Sequence, residues 1–263
     1  WFSYTEIVED DAKTTSAAVS LEFAANLEGV YRGQLSDLAD RVALIEGGSG
    51  GLGLAGLRCT VLGDSISVGG WVPLMAAATG VIVTNLGEGG AALGEASNGH
   101  YGSLGIYNQI SLIPADADFV LLAAGVNDFA ASEVPLGTFG DTTTATEFGA
   151  YYAAAGAIRT QAPNAKQIWL TPHSGGPGHA THKMFRANGQ GHTLDEYQQV
   201  VEVMSRALSI EMIDVGRRSG IGYLTSDLYT TDHLHLNSAG NARYAAYVVG
   251  ELGRIARQGY LGT

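Results

Sequence analysis

From residue 57 onward the chain alternates short apolar runs with longer stretches of helical periodicity, and this constrains the fold more than any other feature. The runs are Leu57 to Leu62, Val81 to Leu86, Phe119 to Ala123, Gln167 to Leu170 and Glu211 to Val215. They are mostly apolar, Phe119 to Ala123 entirely so, instead of alternating strictly in and out, the mark of strands covered on both faces. Between and after them, 68–78, 103–111, 144–161, 193–208 and 238–257 read as helices. Strand and helix in alternation predict a parallel sheet with helices on both sides, and right-handed crossovers bring the carboxyl ends of all strands to one edge. The expectation is a flavodoxin-like three-layer α/β/α sandwich around a central parallel sheet, occupying 54–263.

Ahead of it, 16–46 reads as a helix. Leu35, Leu38, Val42 and Ile45 fit a two-heptad seam, short for a coiled coil, that suits either packing against the domain that follows or self-association as a trimer. The run from Gly47 to Gly53 breaks this helix as a linker, so 1–53 is expected to be an N-terminal helical segment with its tether. Two motifs in the tether are out of context. Gly47 to Gly51 spells G-x-S-x-G, and Gly51 to Gly56 spells a dinucleotide fingerprint, but both precede a strand where each needs to follow one.

Composition excludes some functions. The net charge is -12 and the lysines are Lys13, Lys166 and Lys183, which leaves no basic track for a nucleic acid. No apolar stretch approaches the ~20 residues of a membrane span. Cys59 is the only cysteine, lies within the first strand and reads as a small buried hydrophobe. Charged residues are only 15% of the chain, a balance that suits an extracellular or virion-borne protein.

Chemistry-bearing residues cluster where strands end. Gly63-Asp64-Ser65 follows the first strand, Asn85 to Gly90 the second, and Gly125-Val126-Asn127-Asp128 the third; Asp232-His233-Leu234-His235 lies near the end of the chain. Serine needs an adjacent base, itself oriented by a third group, to act as a nucleophile. Asp232 and His235, a tight bend apart, can supply that pair, with the carboxylate on Nδ1 and Nε2 left for Ser65. His233 is expected to point elsewhere.

These four blocks, in this order and over roughly two hundred residues, resemble the SGNH (GDSL-type) hydrolases. The resemblance implies a serine esterase working through an acyl-serine, with Ser65, Asp232 and His235 as the triad and no cofactor. It also implies an oxyanion hole of Ser65, Gly90 and Asn127. Gly89 stands where the family often has serine, so Gly89 competes with Gly90 for that role. The rival reading of Gly87 to Ala92 as a Rossmann fingerprint leaves the other three blocks unexplained.

Two loops are expected to wall the pocket. One is 171–192, bearing His173, His179, His182 and His192; the spacing of His179 and His182 is compatible with a metal, but no cysteine or carboxylate cluster accompanies them, and no metal site is assigned. The other is 129–143, with Phe129, Phe139 and several threonines. Their polar character points to a small ester, an O-acetyl group on a carbohydrate. The alternatives are a lipase or thioesterase of the same fold, and a glycan-binding or phage tail module without turnover.

Overall fold

The computed structural model describes residues 52–95, 105–182 and 185–261. The helical segment 16–46, its trimer seam and nearly all of the Gly-rich tether lie outside the described residues.

Five strands form one sheet: β1 (Arg58–Gly63), β2 (Ile82–Asn85), β3 (Phe119–Ala123), β4 (Lys166–Leu170) and β5 (Glu211–Ile213). Their order is β2-β1-β3-β4-β5 and every pairing is parallel. In register, Val61 faces Leu121 and Leu62 faces Leu122. All four are fully buried, because alternate residues point to opposite faces and both faces are covered.

On one face Leu62, Val120, Leu122 and Trp169 pack with α5 (Glu147–Gln161) and α6 (Leu194–Leu208), where Tyr151 lies 4.9 Å from Trp169 ring to ring. Two more helices, α2 (Trp71–Thr79) and α9 (Ser238–Arg257), pack on each other with Trp71 against Tyr244 at 4.8 Å. The α/β/α sandwich expected from the sequence is thus the architecture, and the strand positions differ from expectation by only one or two residues.

The differences are instructive. Helix propensity begins at Ser65 rather than residue 68, but Gly69 and Gly70 split it into α1 (Ser65–Val68) and α2. Strand β5 ends at Ile213 because Asp214 accepts the hydroxyl hydrogen of Thr171 at 3.1 Å, and that same hydroxyl accepts from the Gly216 N–H at 2.9 Å. This latch turns the chain into α7 (Val215–Arg218) before the apolar Val215 can extend the strand. The stretch expected as a helix over 103–111 contains α3 (Ile106–Gln109) followed by a 3₁₀ turn to Leu112. Cys59 is buried within β1, and burial pushes its thiol pKa up, away from reactivity.

In this strand order the chain leaves β1 toward β2 and returns to the other side of β1 to form β3. The sheet therefore has its switch point at the carboxyl ends of β1 and β3, where open α/β sheets form crevices.

Candidate active site

Ser65 is the first residue of α1, directly beyond the end of β1. Asp64 caps that short helix, its Oδ1 accepting from the Ile66 N–H at 2.9 Å. The turn requires glycine at 63, since a Cβ there would lie 2.1 Å from Ser67 Oγ and 2.8 Å from Ser67 Cβ. Asn85 ties in the loop after β2: its amide donates to Ser67 O at 2.8 Å, and its Oδ1 accepts from the Gly87 N–H at 3.0 Å. The Glu88 N–H donates to Gly63 O at 3.0 Å. Gly90 follows in the left-handed region (φ +77°), where glycine has no Cβ penalty. Gly89 does not share that conformation, and a Cβ at Gly89 would meet nothing within 4 Å.

Beyond β3, α4 (Val126–Ala130) brings Asn127 to the same loop; its amide donates to Ala91 O at 3.1 Å. The next residue, Asp128, is buried and grips the loop further, Oδ1 accepting from the N–H groups of Leu93 (2.8 Å) and Gly94 (2.7 Å).

The fourth block arrives from the far end of the chain. The antiparallel bridge between Thr230 and Leu236 closes a turn, helped by the Thr231 N–H donating to His235 O at 2.8 Å. Within it Asp232 Oδ1 accepts from the N–H groups of Leu234 (3.1 Å) and His235 (2.7 Å), while Oδ2 lies 2.6 Å from His235 Nδ1. His235 Nε2 stands 3.0 Å from Ser65 Oγ. The carboxylate alone is thus oriented by two backbone donors and left one oxygen for the imidazole. Burial by itself would raise the Asp232 pKa, but the His235 side chain and these two N–H groups outweigh it and hold it at about 2. Both side chains remain reachable from solvent, at 45% and 49% exposure.

His233 diverges from this pair as expected. It occupies the left-handed region (φ +67°), which turns its ring away so that Nδ1 lies 3.2 Å from Ser226 Oγ in α8 (Ser226–Tyr229). Here the loop after β4 meets the turn. The Gly176 N–H donates to His233 O at 2.6 Å, and buried His173 has Nε2 2.9 Å from Leu234 O. A Cβ at Gly176 would fall 1.8 Å from Ser226 Oγ, and one at Gly178 2.3 Å from the His233 ring. This part of the 171–192 loop braces the Asp232–His235 turn from behind. That role was not foreseen for His173, His233 or Gly176, and the only hint in the sequence is the placement of His173 just past a strand end.

His179 and His182 are neighbours, with their Nδ1 atoms 3.2 Å apart. Burial first, then the nearby histidines His179, His235 and His173, lower the His182 pKa to about 4, so this ring is neutral. No group of three or more His, Cys, Asp or Glu able to hold a metal ion occurs among the described residues. His192 is drawn into the cap of α6, 3.0 Å from Glu196.

In the 129–143 loop one expectation fails. Phe129 is fully buried and packs edge-on against Tyr197 at 5.7 Å, so it is a core residue instead of a pocket wall. It lies within α4, and the sequence pattern carries no sign of that helix. Phe139 is 64% exposed.

The chain is similar to a protein from Lactobacillus plantarum of known crystal structure (25% identity, TM-score 0.67, covering 76% of this chain and 98% of that one). It shares its fold with a lipase/acylhydrolase from Enterococcus faecalis (20% identity, TM-score 0.54, 75% and 96% covered). The same holds for a carbohydrate esterase family 3 protein from Talaromyces cellulolyticus (16% identity, TM-score 0.55, 77% and 99% covered). No curated protein sequence matches the chain. The sequence model of the GDSL-like lipase/acylhydrolase family matches residues 61–243, from the heart of β1 into α9. The chain belongs to the GDSL-like lipase/acylhydrolase family.

Proposed function

We propose that the protein is a serine esterase that removes small acyl groups, above all O-acetyl groups, from a carbohydrate. The observation that carries this reading is the unbroken chain from Ser65 Oγ to His235 Nε2 (3.0 Å) and from His235 Nδ1 to Asp232 (2.6 Å). Ionised Asp232 accepts from Nδ1–H and so fixes the tautomer with a free lone pair on Nε2. His235 takes the Ser65 proton as Oγ bonds to the ester carbonyl carbon. The resulting oxyanion is met by the backbone N–H groups of Ser65 and Gly90 and by the Asn127 amide, whose second hydrogen is not needed by Ala91. His235 returns its proton to the leaving sugar oxygen as the C–O bond breaks, and water attacks the acyl-serine by the reverse sequence to release acetate.

Acetyl selectivity is favoured by the polar loops around the site and is in keeping with the fold-level likeness to a carbohydrate esterase. One observation favours the second reading, an esterase of long acyl chains. Leu224 (87% exposed) and Leu228 (65%) lie on the segment that leads into the Asp232–His235 turn, and Phe185 packs on Tyr223 there. The test is kcat/KM over acetyl, butyryl and octanoyl p-nitrophenyl esters together with acetate release from acetylated saccharides, using Ser65→Ala as the blank. Steep decline with chain length and acetate release support the acetyl esterase. A rise toward octanoate, worth about 0.8 kcal/mol per buried methylene, without acetate from any glycan selects the long-chain reading. Turnover that survives Ser65→Ala defeats both.

A further inference from the structure

Behind Asn127 lies a pair of buried acids that the reaction above does not use. Asp128 accepts three backbone hydrogen bonds: two at Oδ1 from Leu93 and Gly94, and one at Oδ2 from the Gly125 N–H at 3.1 Å. All three partners are donors, so Asp128 serves as a carboxylate. Glu147, the first residue of α5, is equally buried; neither of its carboxyl oxygens has a hydrogen-bond partner of ordinary geometry, and Asp128 is the charged group that acts on it. It reaches past Gly125 (φ +110°), where a Cβ would stand 3.5 Å from Glu147 Oε1.

Among the described residues, the other titratable groups around the pair are Tyr151 on α5, Tyr197 on α6, and more distantly Asp64 and Glu133, none of them a cation. Two ionised carboxylates in contact, out of water and without a cation, are too costly to persist. One proton must be shared, and it belongs on Glu147, because three N–H groups favour the charged form of Asp128.

We propose that Glu147 is a positioning residue: as a neutral acid it donates to Asp128 and so locks the grip of α4 on the Ala91–Gly94 segment. This deepens the esterase reading and rests on it. Asn127 holds Ala91 O and Asp128 holds Leu93 and Gly94 N–H, so consecutive residues of α4 clamp the loop immediately after Gly90. The spacing between the Gly90 N–H and the Asn127 amide, the two halves of the oxyanion site that come from different loops, is set by this clamp. Burial, and then Asp128 itself, hold the Glu147 carboxyl well above the usual carboxylate range. Ionising it at alkaline pH sets two like charges together and opens the clamp.

The experiment compares wild type, Glu147→Gln and Glu147→Leu on p-nitrophenyl acetate from pH 6 to 10, with amide hydrogen exchange at Leu93 and Gly94 measured on the same proteins. Glutamine donates at every pH. Glu147→Gln should therefore keep kcat at neutral pH within about threefold and lose the alkaline decline of the wild type. Glu147→Leu should lower kcat by about tenfold or more with KM little changed, as for weakened oxyanion donors, and should speed exchange at both amides.

The proposal is overturned if Glu147→Gln is as impaired as Glu147→Leu, or if it retains the wild-type alkaline limb. If Glu147→Leu does not fold, the glutamine profile decides alone. If no protein turns over ester, the esterase reading has failed separately. The exchange rates of Leu93 and Gly94 then judge the clamp: rates in wild type and Glu147→Gln that do not diverge as the pH rises overturn it.

Discussion

Ser65 Oγ and His235 Nε2 meet at 3.0 Å although 170 positions separate them in the chain. The contact exists because β1 delivers Ser65 to the switch point while the Thr230–Leu236 bridge turns His235 back over it. Its chemical sense depends on which ring nitrogen carries the proton, and that is set by Asp232.

Asp232→Asn tests this directly. The asparagine Oδ1 can still accept from the Leu234 and His235 N–H groups, so the turn should survive with its amide nitrogen facing Nδ1. That forces the proton onto Nε2, the wrong tautomer for a base. The expected result is a fall in kcat of about 10⁴-fold with unchanged circular dichroism and melting temperature. A loss under tenfold would remove Asp232 from the proposed triad.

Asn127→Ala should lower kcat by roughly a hundredfold with little change in KM, the pattern of a donor used mainly in the transition state. Steady-state kinetics on p-nitrophenyl acetate reads it. A change confined to KM would assign Asn127 to substrate binding.

Gly176→Ala introduces a methyl 2.4 Å from Ser226 Cβ, which cannot rotate away. The expected cost is about 1–3 kcal/mol of stability, read as a melting temperature several degrees lower. Activity should fall too, since Gly176 and Ser226 both brace His233 in the His235 turn. Ser226→Gly in the same chain should recover part of the melting temperature, and no recovery would mean that the clash lies elsewhere.

Asp64 gives a pH-dependent stability. Burial above all, with Asp128 pushing the same way and the Ile66 N–H and His235 opposing, raises its pKa to about 7. Unfolded, it titrates near ~3.9. Between these values the folded state binds more protons at Asp64, so the stability that Asp64 contributes is greatest below pH ~4 and is lost as pH rises toward 7, with a slope approaching about 1.4 kcal/mol per pH unit. Asp64→Asn can keep the cap on Ile66 without titrating. Denaturant unfolding of both proteins from pH 4.5 to 7.5 should show wild type losing stability relative to the variant; a constant difference across that range would refute the assignment.

The inner strands β1, β3 and β4 were legible from the sequence because buried parallel strands must be largely apolar, while the edge strands β2 and β5 are only partly buried and show a weaker pattern. Phe119–Ala123 was legible to the residue. Three of the candidate blocks, with Ser65, Gly90 and Asn127, could be placed together for a related reason: they follow strands, and a parallel sheet brings strand ends together; Asp232 and His235 follow no strand and reach Ser65 only through the bridged turn. What escaped were residues whose meaning depends on a partner from another element. Phe129 reads as a loop aromatic until α6 supplies Tyr197 to pack it. His173 reads as one of four histidines in a long loop until Leu234 O claims it.

Glu147 is the clearest case of that division. In the sequence it is an ordinary acid in the first turn of a helix, where the helix dipole favours a negative charge on the surface. The fold instead buries it and sets Asp128 against it. Local pattern determined the sheet, its helices and which edge carries chemistry, because apolar spacing acts over a few residues. Only the tertiary structure decided which polar groups share a dry interior. Whether a carboxyl there stays charged depends on the donors and charges that other segments bring to it, and that is a property of no single stretch of sequence.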